Sequence, residues 1–370
     1  MTDYSLKSPR RRILRAGMRG FGRGLFNTLS RTQVNNKENF PKGGPLIVVG
    51  NHIAVIEVAL MVVYSPWQIE MMGAGDLPFE PGLGWVVHTY GFIPVRRGST
   101  DRASMEKGLE VLAQGGIVGI FPEGGIWSTQ LKKAQSGVAW LSYRAQAPIL
   151  PIGFGGVAGA LKGMFELKRP EMVMNVGKPI PPIQDREGIS KKQMFADGAE
   201  TVMRAIEELI PPEDVMRGPK INDERFELQL QALNGTNSSV SIPPELHMEN
   251  GPALARMFHQ PVILNVFRKN LRLPVETLRA VNQHHAADTL CQDIDTVLGY
   301  LNNDNPYFLT YRFGNQVGWA MKDGLEELRK VTQWAKNEDY LLSITPVRRY
   351  YLEGQSEEIV EDDPGSAHSI

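Results

Sequence analysis

The sequence predicts an α/β first domain, a mixed sheet with flanking helices, followed by a second domain of the α+β class. Two patterns predict this. Between Leu46 and Ile210, continuous apolar runs suited to buried strands alternate with segments of helical periodicity. After residue 220 strands and helices follow one another without that regular alternation. With 370 residues, 42% hydrophobic and 22% charged, the chain is long enough for two domains.

Composition and the positions of proline and glycine divide the chain into five predicted regions. The boundaries rest on a basic start, the apolar alternation, the prolines at 211 and 212, and a final acidic stretch with serine and glycine. The predicted regions are a basic amphipathic N-terminal helix at 1–40, the first domain at 41–210, a linker at 211–220, an α+β domain of unknown role at 221–352, and a disordered tail at 353–370.

The periodicity of apolar residues, and the glycine and proline residues that flank each segment, predict the individual elements. In the first domain we predict strands at 46–49, 68–74, 92–95, 116–121, 148–154 and 172–176, and helices at 55–64, 101–114, 133–145 and 191–209. In the second we predict strands at 225–233, 307–313 and 340–352, and helices within 254–301 and at 317–335.

The N-terminal segment 7–31 is patterned as a basic amphipathic helix. Its apolar stripe is Leu14, Met18, Phe21, Leu25 and Leu29, and the opposite side carries Arg12, Arg15, Arg19 and Arg23. This pattern is typical of a helix lying on an anionic membrane surface, and the alternative is a stripe that packs on its own domain. Polar residues at 51, 52 and 57 interrupt the best candidate span, so we expect a cytoplasmic protein, peripheral on the inner face of the membrane.

Several partner classes are not expected. Cys291 is the only cysteine, so the chain cannot form an internal disulfide and suits a reducing compartment. His284 and His285 beside it lack the paired spacing of a zinc site, so no metal site is predicted. No nucleic-acid partner is expected.

The stretch from Leu46 to Leu60 carries the first candidate chemistry. An apolar strand runs into Gly50-Asn51-His52, and Glu57 follows on an apolar helix. Five helical residues turn through about 500°, so the two side chains meet only if His52 lies in the loop before the helix and folds back over its first turn. Glu57 could then hold Nδ1 and leave Nε2 as a base toward an alcohol. The alternative is a solvated glutamate beside a capping histidine.

Two further strands end in polar residues. Arg96 and Arg97 follow the apolar run 91–95, and arginine binds phosphate through two parallel hydrogen bonds, although a solvated surface pair would look the same. Glu123 and Gly124 follow the run that ends at Phe121, and glycine there lets backbone approach a ligand, although a bare turn would look similar.

Together and in this order, four short blocks resemble those of the glycerolipid acyltransferase family, which includes the lysophosphatidic acid acyltransferases. The resemblance covers about 41–210. The blocks are His52 with Glu57 after four intervening residues, Gly91-Phe92-Ile93-Pro94-Val95-Arg96-Arg97, Phe121-Pro122-Glu123-Gly124, and Pro148-Ile149-Leu150-Pro151.

The resemblance implies an acyltransferase-like sheet domain that moves a fatty acyl group from acyl-CoA or acyl carrier protein to a hydroxyl of a lysophospholipid or glycerol phosphate. No other cofactor is implied. By position, His52 would be the general base and Glu57 its orienting partner. Arg96 or Arg97 would bind the acceptor phosphate, Glu123 and Gly124 would shape the acceptor site, and Pro151 would lie on the acyl-donor side.

Two departures keep alternatives open. Glu57 stands where the family usually has aspartate, and Gly125 and Ile126 stand where the third block normally continues with threonine and arginine. The acceptor could therefore be a non-phosphate alcohol or a glycolipid, or the chain could be a non-catalytic lipid-binding scaffold on the same fold. A third alternative is dinucleotide binding, because 153–158 matches GxGxxA, although glycine and proline soon interrupt the helix that this motif needs.

Overall fold

The computed structural model describes residues 6, 8–74, 84–95, 101–123, 135–214, 221–260, 284–304 and 306–362, and single residues at 263, 264, 267, 271 and 273. The chain divides into two compact units at about residue 217. The described residues up to 214 are called the first domain and those from 221 the second domain.

The first domain is a seven-stranded mixed sheet with helices between the strands, and the predicted α/β class is confirmed. The strand order is β1-β7-β6-β2-β5-β3-β4, parallel except for the antiparallel pair of β6 and β7. Its strands are β1 Arg31–Asn35, β2 Leu46–Gly50, β3 Glu70–Ala74, β4 Ile93–Val95, β5 Ile117–Ile120, β6 Ile149–Gly155 and β7 Glu171–Val176. Its helices are α1 Pro9–Leu29, α2 Ile56–Tyr64, α3 Gly84–Tyr90, α4 Arg102–Ala113, α5 Gly137–Ala145, α6 Ala160–Phe165 and α7 Lys191–Glu207.

The central strand β2 explains the continuous apolar run in the sequence. All five of its residues are buried, because helices cover both faces of the sheet. Leu46 and Val48 face one apolar cluster, and Ile47 and Val49 face the other. β2 lies between β5 and β6, so the loops that follow β2 and β5 leave from the same edge of the sheet.

Helix α1 packs on the domain through its basic side. Arg15 is 1% exposed and donates to both carboxylate oxygens of buried Glu70, to Tyr90 O at 2.8 Å and to Gly91 O at 3.1 Å. Arg19 donates to Val62 O and Ser65 O. These carbonyls at the end of α2 have no partners within their own helix, so guanidinium groups supply the donors.

The apolar stripe of α1 therefore faces outward over much of its length. Ile13 and Phe21 are 73% and 75% exposed, and Leu14 and Leu25 are also exposed. Met18 is half-buried, and the end of the stripe turns inward, where Leu29 packs against the core beside buried Phe26. The expectation that Arg15 and Arg19 face lipid is wrong, because a buried carboxylate and carbonyl groups of α2 take their donors. No described helix is both long and apolar enough to span a bilayer.

Three elements of the first domain are absent from the sequence prediction. The region 1–40 is not one helix, because after Leu29 the chain forms β1, which pairs with β7 from Arg31↔Glu171 to Asn35↔Asn175. Its sequence, Arg-Thr-Gln-Val-Asn, is polar because β1 is an edge strand with little core contact. The short helices α3 and α6 follow β3 and β6.

The second domain is a sheet of order β10-β11-β8-β9, with β12 paired to β11, and helices. The predicted strand at 307–313 is wrong, because 308–313 is helical and its apolar residues pack as a helix turn. Its described elements are β8 Ile221–Leu233, β9 Ser239–Val240, α8 Gly251–Phe258, β10 His285–Ala286, α9 Ala287–Gly299, α10 Phe308–Phe313, α11 Asn315–Asn337, β11 Leu341–Leu352 and β12 Ile359–Glu361.

The tail predicted to be disordered contains a strand. β12 pairs antiparallel with β11, from Arg348↔Glu361 to Tyr350↔Ile359. Glu361 accepts from Arg348 at 3.1 Å and from the Tyr350 hydroxyl at 2.8 Å, so this acidic residue has fixed partners. Residues 363–370 lie outside the described residues.

Candidate active site

The turn after β2 is held to the neighbouring strand by a side chain. Asn51 is 2% exposed; its Nδ2 donates to Phe154 O at 3.1 Å, and its Oδ1 accepts from Phe154 N at 2.7 Å. An amide side chain offers the same donor and acceptor as a peptide group. The Asn51 side chain therefore extends the pairing of β2 with β6 by one residue, and this fixes the backbone position of His52.

His52 lies in the loop between β2 and α2, beside Glu57 in the first turn of that helix. Its Nδ1 is 3.8 Å from Glu57 Oε2, too far for a hydrogen bond but near enough for a small side-chain rotation to form one. Both atoms are buried, and neither has a hydrogen-bond partner among the described residues. The His52 side chain keeps 14% of its surface exposed, whereas Glu57 has none.

The second oxygen of Glu57 fixes the loop itself. Oε1 accepts from the backbone N–H groups of Ile53 and Ala54, each at 2.8 Å. Charged hydrogen bonds of this length are among the stronger ones in proteins. One carboxylate thus holds the backbone after His52 and presents its other oxygen to the imidazole.

Glu123 and Phe121 reach the same loop from the end of β5. Glu123 is 5% exposed, and its Oε1 accepts from the backbone N–H of His52 at 2.9 Å. The Phe121 ring stacks on the imidazole, with centroids 4.2 Å apart and planes 22° from parallel. The backbone N–H groups of 52, 53 and 54 are all bound by carboxylates, so they are not free to bind an anion.

Of the remaining predicted site residues, only Pro151 lies in the described part of the chain. Pro151 lies inside β6, opposite Val49, and is buried within the sheet. Arg96, Arg97 and Gly124 lie outside the described residues, as do Gly125 and Ile126. Their predicted contacts with the acceptor stay predictions.

Two members of the cluster, Asn51 and Phe121, were not singled out from the sequence. Asn51 had a signal, since a polar side chain directly after five strand residues needs a buried partner. Apart from its place before the Pro-Glu-Gly stretch, nothing in the sequence marked Phe121, because its stacking on His52 depends on β5 lying beside β2.

The chemistry that this arrangement offers is proton transfer. A histidine with one nitrogen beside a buried carboxylate and a side chain that solvent still reaches suits a general base. No group of three or more metal-binding side chains occurs in the part of the chain that the structure describes.

Comparisons with known proteins bear on the same region. Residues 31–155 match the Acyltransferase family model. The 1-acyl-sn-glycerol-3-phosphate acyltransferase of Bacillus subtilis is 27% identical over 178 residues, which are 48% of this chain and 87% of that protein. The N-acylphosphatidylethanolamine synthase of Arabidopsis thaliana is 24% identical over 207 residues, which cover 50% of this chain and 69% of that protein. The solved 1-acyl-sn-glycerophosphate acyltransferase PlsC of Thermotoga maritima aligns with 56% of this chain and 85% of its own, at 21% identity and a TM-score of 0.41.

The matched segment is an acyltransferase domain, and the protein is an enzyme of that class. More narrowly, over this segment the chain is similar to the 1-acyl-sn-glycerol-3-phosphate acyltransferases of the glycerolipid acyltransferase family. The family resemblance of the sequence is thereby confirmed. The family model ends at residue 155, within the first domain.

Proposed function

We propose that this enzyme transfers a fatty acyl group from an acyl thioester to a hydroxyl of a lysophospholipid or glycerol phosphate, with His52 as general base oriented by Glu57. The donor would be acyl-CoA or acyl carrier protein. The observation that carries the proposal is the 3.8 Å approach of His52 Nδ1 to the buried Glu57 carboxylate. The acceptor class follows from the name of the Bacillus subtilis relative.

In the proposed reaction, the free Nε2 of His52 takes the proton of the acceptor hydroxyl as its oxygen attacks the thioester carbonyl. The tetrahedral intermediate then breaks its carbon–sulfur bond, and the imidazolium returns the proton to the departing thiolate. Glu57 stabilises the imidazolium through Nδ1. Asn51 and Glu123 hold the loop so that the ring faces the substrate.

Membrane association forms part of the proposal, because the substrates carry acyl chains. The outward Ile13, Leu14, Phe21 and Leu25 of α1 form an apolar surface that a bilayer would cover. Arg15 and Arg19 bind within the protein, so the basic contribution of α1 to this contact would come from the exposed Arg10 and Arg12. A position on the inner face of the membrane remains a prediction.

The test is a purified-protein assay with acyl-CoA and a panel of acceptors, with products identified by mass spectrometry. His52→Ala should lower the rate by about 10²–10⁴-fold, the usual contribution of a general base. His247→Ala, at an exposed histidine of the second domain, is the matched control and should keep the wild-type rate. Wild-type activity in His52→Ala would show that the base is wrongly assigned.

Glu57→Gln separates charge from loop structure. The glutamine carbonyl can still accept from Ile53 and Ala54, so the loop should keep its shape while the imidazolium loses its counter-charge. We expect a smaller loss of kcat than in His52→Ala, with KM for both substrates little changed. A lower kcat together with a clearly higher KM for either substrate would indicate a damaged loop.

The acceptor is tested through Arg96 and Arg97. Alanine at either position should raise the acceptor KM, by about 1.5–3 kcal/mol in binding for a charged hydrogen bond, and leave the donor KM unchanged. Equal activity on acceptors with and without phosphate would favour a neutral alcohol or glycolipid as acceptor, the alternative suggested by Ile126 in place of the family's arginine. Binding of lipid with no transfer at all would favour the scaffold alternative.

A further inference from the structure

The last residue of α6 and the turn after it expose two large apolar side chains, two positions apart in the sequence. Phe165 is 73% exposed and Leu167 is 72% exposed, and every residue from 165 to 169 is exposed. Single exposed apolar residues are common on protein surfaces, so exposure alone decides nothing. The backbone of this turn supplies a second observation.

Leu167 occupies a position that favours glycine. Lys168 N–H donates to Gly163 O at 2.8 Å and Leu167 N–H donates to Met164 O at 3.1 Å, the pair of bonds that ends a helix in a left-handed residue. Leu167 has φ of 58°, in the region where a side chain crowds its own backbone. Glycine there would relieve the strain and remove exposed apolar surface. A leucine that is unfavourable on both counts motivates a functional hypothesis for this turn.

The surroundings of this turn are basic. Lys162, Lys168 and Arg169 are exposed around the two apolar residues, and Glu166 is the single acidic residue between them. Glu166 pairs with Lys168 at 2.7 Å, and that contact lowers the pKa of its carboxyl group. An excess of positive charge around exposed apolar side chains complements an anionic lipid surface.

The turn also lies near both surfaces already described. It follows β6, which runs parallel to β2, so the segment 156–170 leaves from the sheet edge that carries His52. Arg31 N–H donates to Pro170 O at 2.9 Å, and Arg169 reaches Asn27 O in the last turn of α1 at 3.5 Å. The turn is therefore next to the C-terminal end of α1.

We propose that the turn 165–169 is a second bilayer contact, in which Phe165 and Leu167 enter the lipid interface and the flanking basic residues meet anionic headgroups. This inference rests on the proposed function, which brings the enzyme to a membrane. It adds a contact separate from α1 at the active-site edge of the sheet, with basic residues of its own that make part of the binding salt-sensitive.

The experiment measures binding of the full-length protein to phosphatidylcholine vesicles with and without phosphatidylglycerol, by co-sedimentation, together with its thermal midpoint. Leu167→Gly should raise the midpoint, because the left-handed strain is removed, and weaken vesicle binding by about tenfold through lost apolar burial. Phe165→Ser should weaken binding to a similar degree. Both variants should transfer acyl groups to detergent-dispersed acceptor at the wild-type rate.

Gln146→Gly is the matched control. Gln146 ends α5 in the same way, with φ of 48°, with Ala147 N–H donating to Ser142 O, and with an exposed side chain. Glycine there should raise the thermal midpoint and leave vesicle binding unchanged. The contrast separates loss of lipid contact from any general effect of a new glycine.

A Phe21→Ser/Leu25→Ser variant of α1 distinguishes the two membrane proposals. If this variant loses binding while Leu167→Gly and Phe165→Ser bind as the wild type does, the turn is not a lipid contact and α1 alone docks. If the turn variants keep vesicle binding but abolish self-association in sedimentation, the surface contacts a second copy and the bilayer proposal is wrong. A wild-type protein that ignores vesicles but transfers acyl groups overturns both membrane contacts and leaves the proposed chemistry standing.

Discussion

Helices α1 and α7 are both amphipathic and both pack on the first domain, but they turn opposite faces toward it. α7 buries its apolar side, including Met194, Val202 and Ile206, and leaves its charged residues outside. α1 buries Arg15 and exposes Phe21. The difference lies in the receiving surface, because α7 meets apolar side chains whereas α1 meets a buried carboxylate and the free carbonyls of α2. An amphipathic pattern thus predicts a helix without saying which face is inside.

The largest expected effect is loss of the buried charge that holds α1. Arg15→Ala leaves Glu70 buried with only the partly exposed Arg11 at 2.7 Å, and breaking such a pair costs about 3–5 kcal/mol of the free energy of unfolding. Chemical denaturation monitored within the first domain would measure it.

The control for that loss is Arg204→Ala on the exposed side of α7, which should change stability by less than about 0.5 kcal/mol. The double variant Arg15→Met/Glu70→Leu should recover much of the loss, because both charges of the fully buried pair are removed. If Arg15→Ala proved as mild as Arg204→Ala, the inward arginine face of α1 would be incorrect.

The corresponding change in α7 is an apolar truncation. Ile206→Ala removes a fully buried side chain between α7 and the sheet and should lower the free energy of unfolding by about 2–5 kcal/mol. Denaturant titration would give the value. A loss below about 0.5 kcal/mol would mean that α7 is not held by its apolar face.

Tyr90, whose ring lies 4.3 Å below the Arg15 guanidinium, gives a smaller and pH-dependent effect. Its hydroxyl donates to Ile69 O, and Tyr90→Phe should cost about 1 kcal/mol. Burial raises the pKa of the Tyr90 hydroxyl above its ordinary value of 10.0. The folded state holds this proton more tightly, so the contribution is constant below about pH 10 and falls as the pH rises further.

Stability measured between pH 8 and about 11 should therefore fall less steeply in Tyr90→Phe than in the wild type. Parallel curves would show that Tyr90 keeps an ordinary pKa in the folded protein.

The smallest effect on folding is expected for the outward face of α1. Phe21→Ser should change the free energy of unfolding by less than about 0.5 kcal/mol, because the side chain is 75% exposed. A loss of several kcal/mol would place Phe21 in a protein interior and would remove the contrast with α7.

The central strands could be predicted because β2, β5 and β6 lie between covered faces and carry unbroken apolar runs. The edge strand β1 could not, since its pairing with β7 joins residues 140 apart and its side chains are mostly polar. Segment 308–313 was assigned to a strand because aromatic residues suit both states in so short a run. Sequence spacing could place Glu57 near His52, but the contact of Glu123 with the His52 backbone depends on strand order.

Ser30 is the single residue between α1 and β1, and it is buried. Its hydroxyl contacts both Phe26 O, at 2.6 Å, and Thr32 Oγ1, at 2.8 Å, so it joins the last turn of the helix to the first residues of the strand. A one-residue connection leaves α1 no freedom to rotate independently of β1. Tilting α1 on a lipid surface would therefore tilt the whole sheet with it, and the direction from which a lipid headgroup approaches His52 would be set by the angle between one helix and one strand.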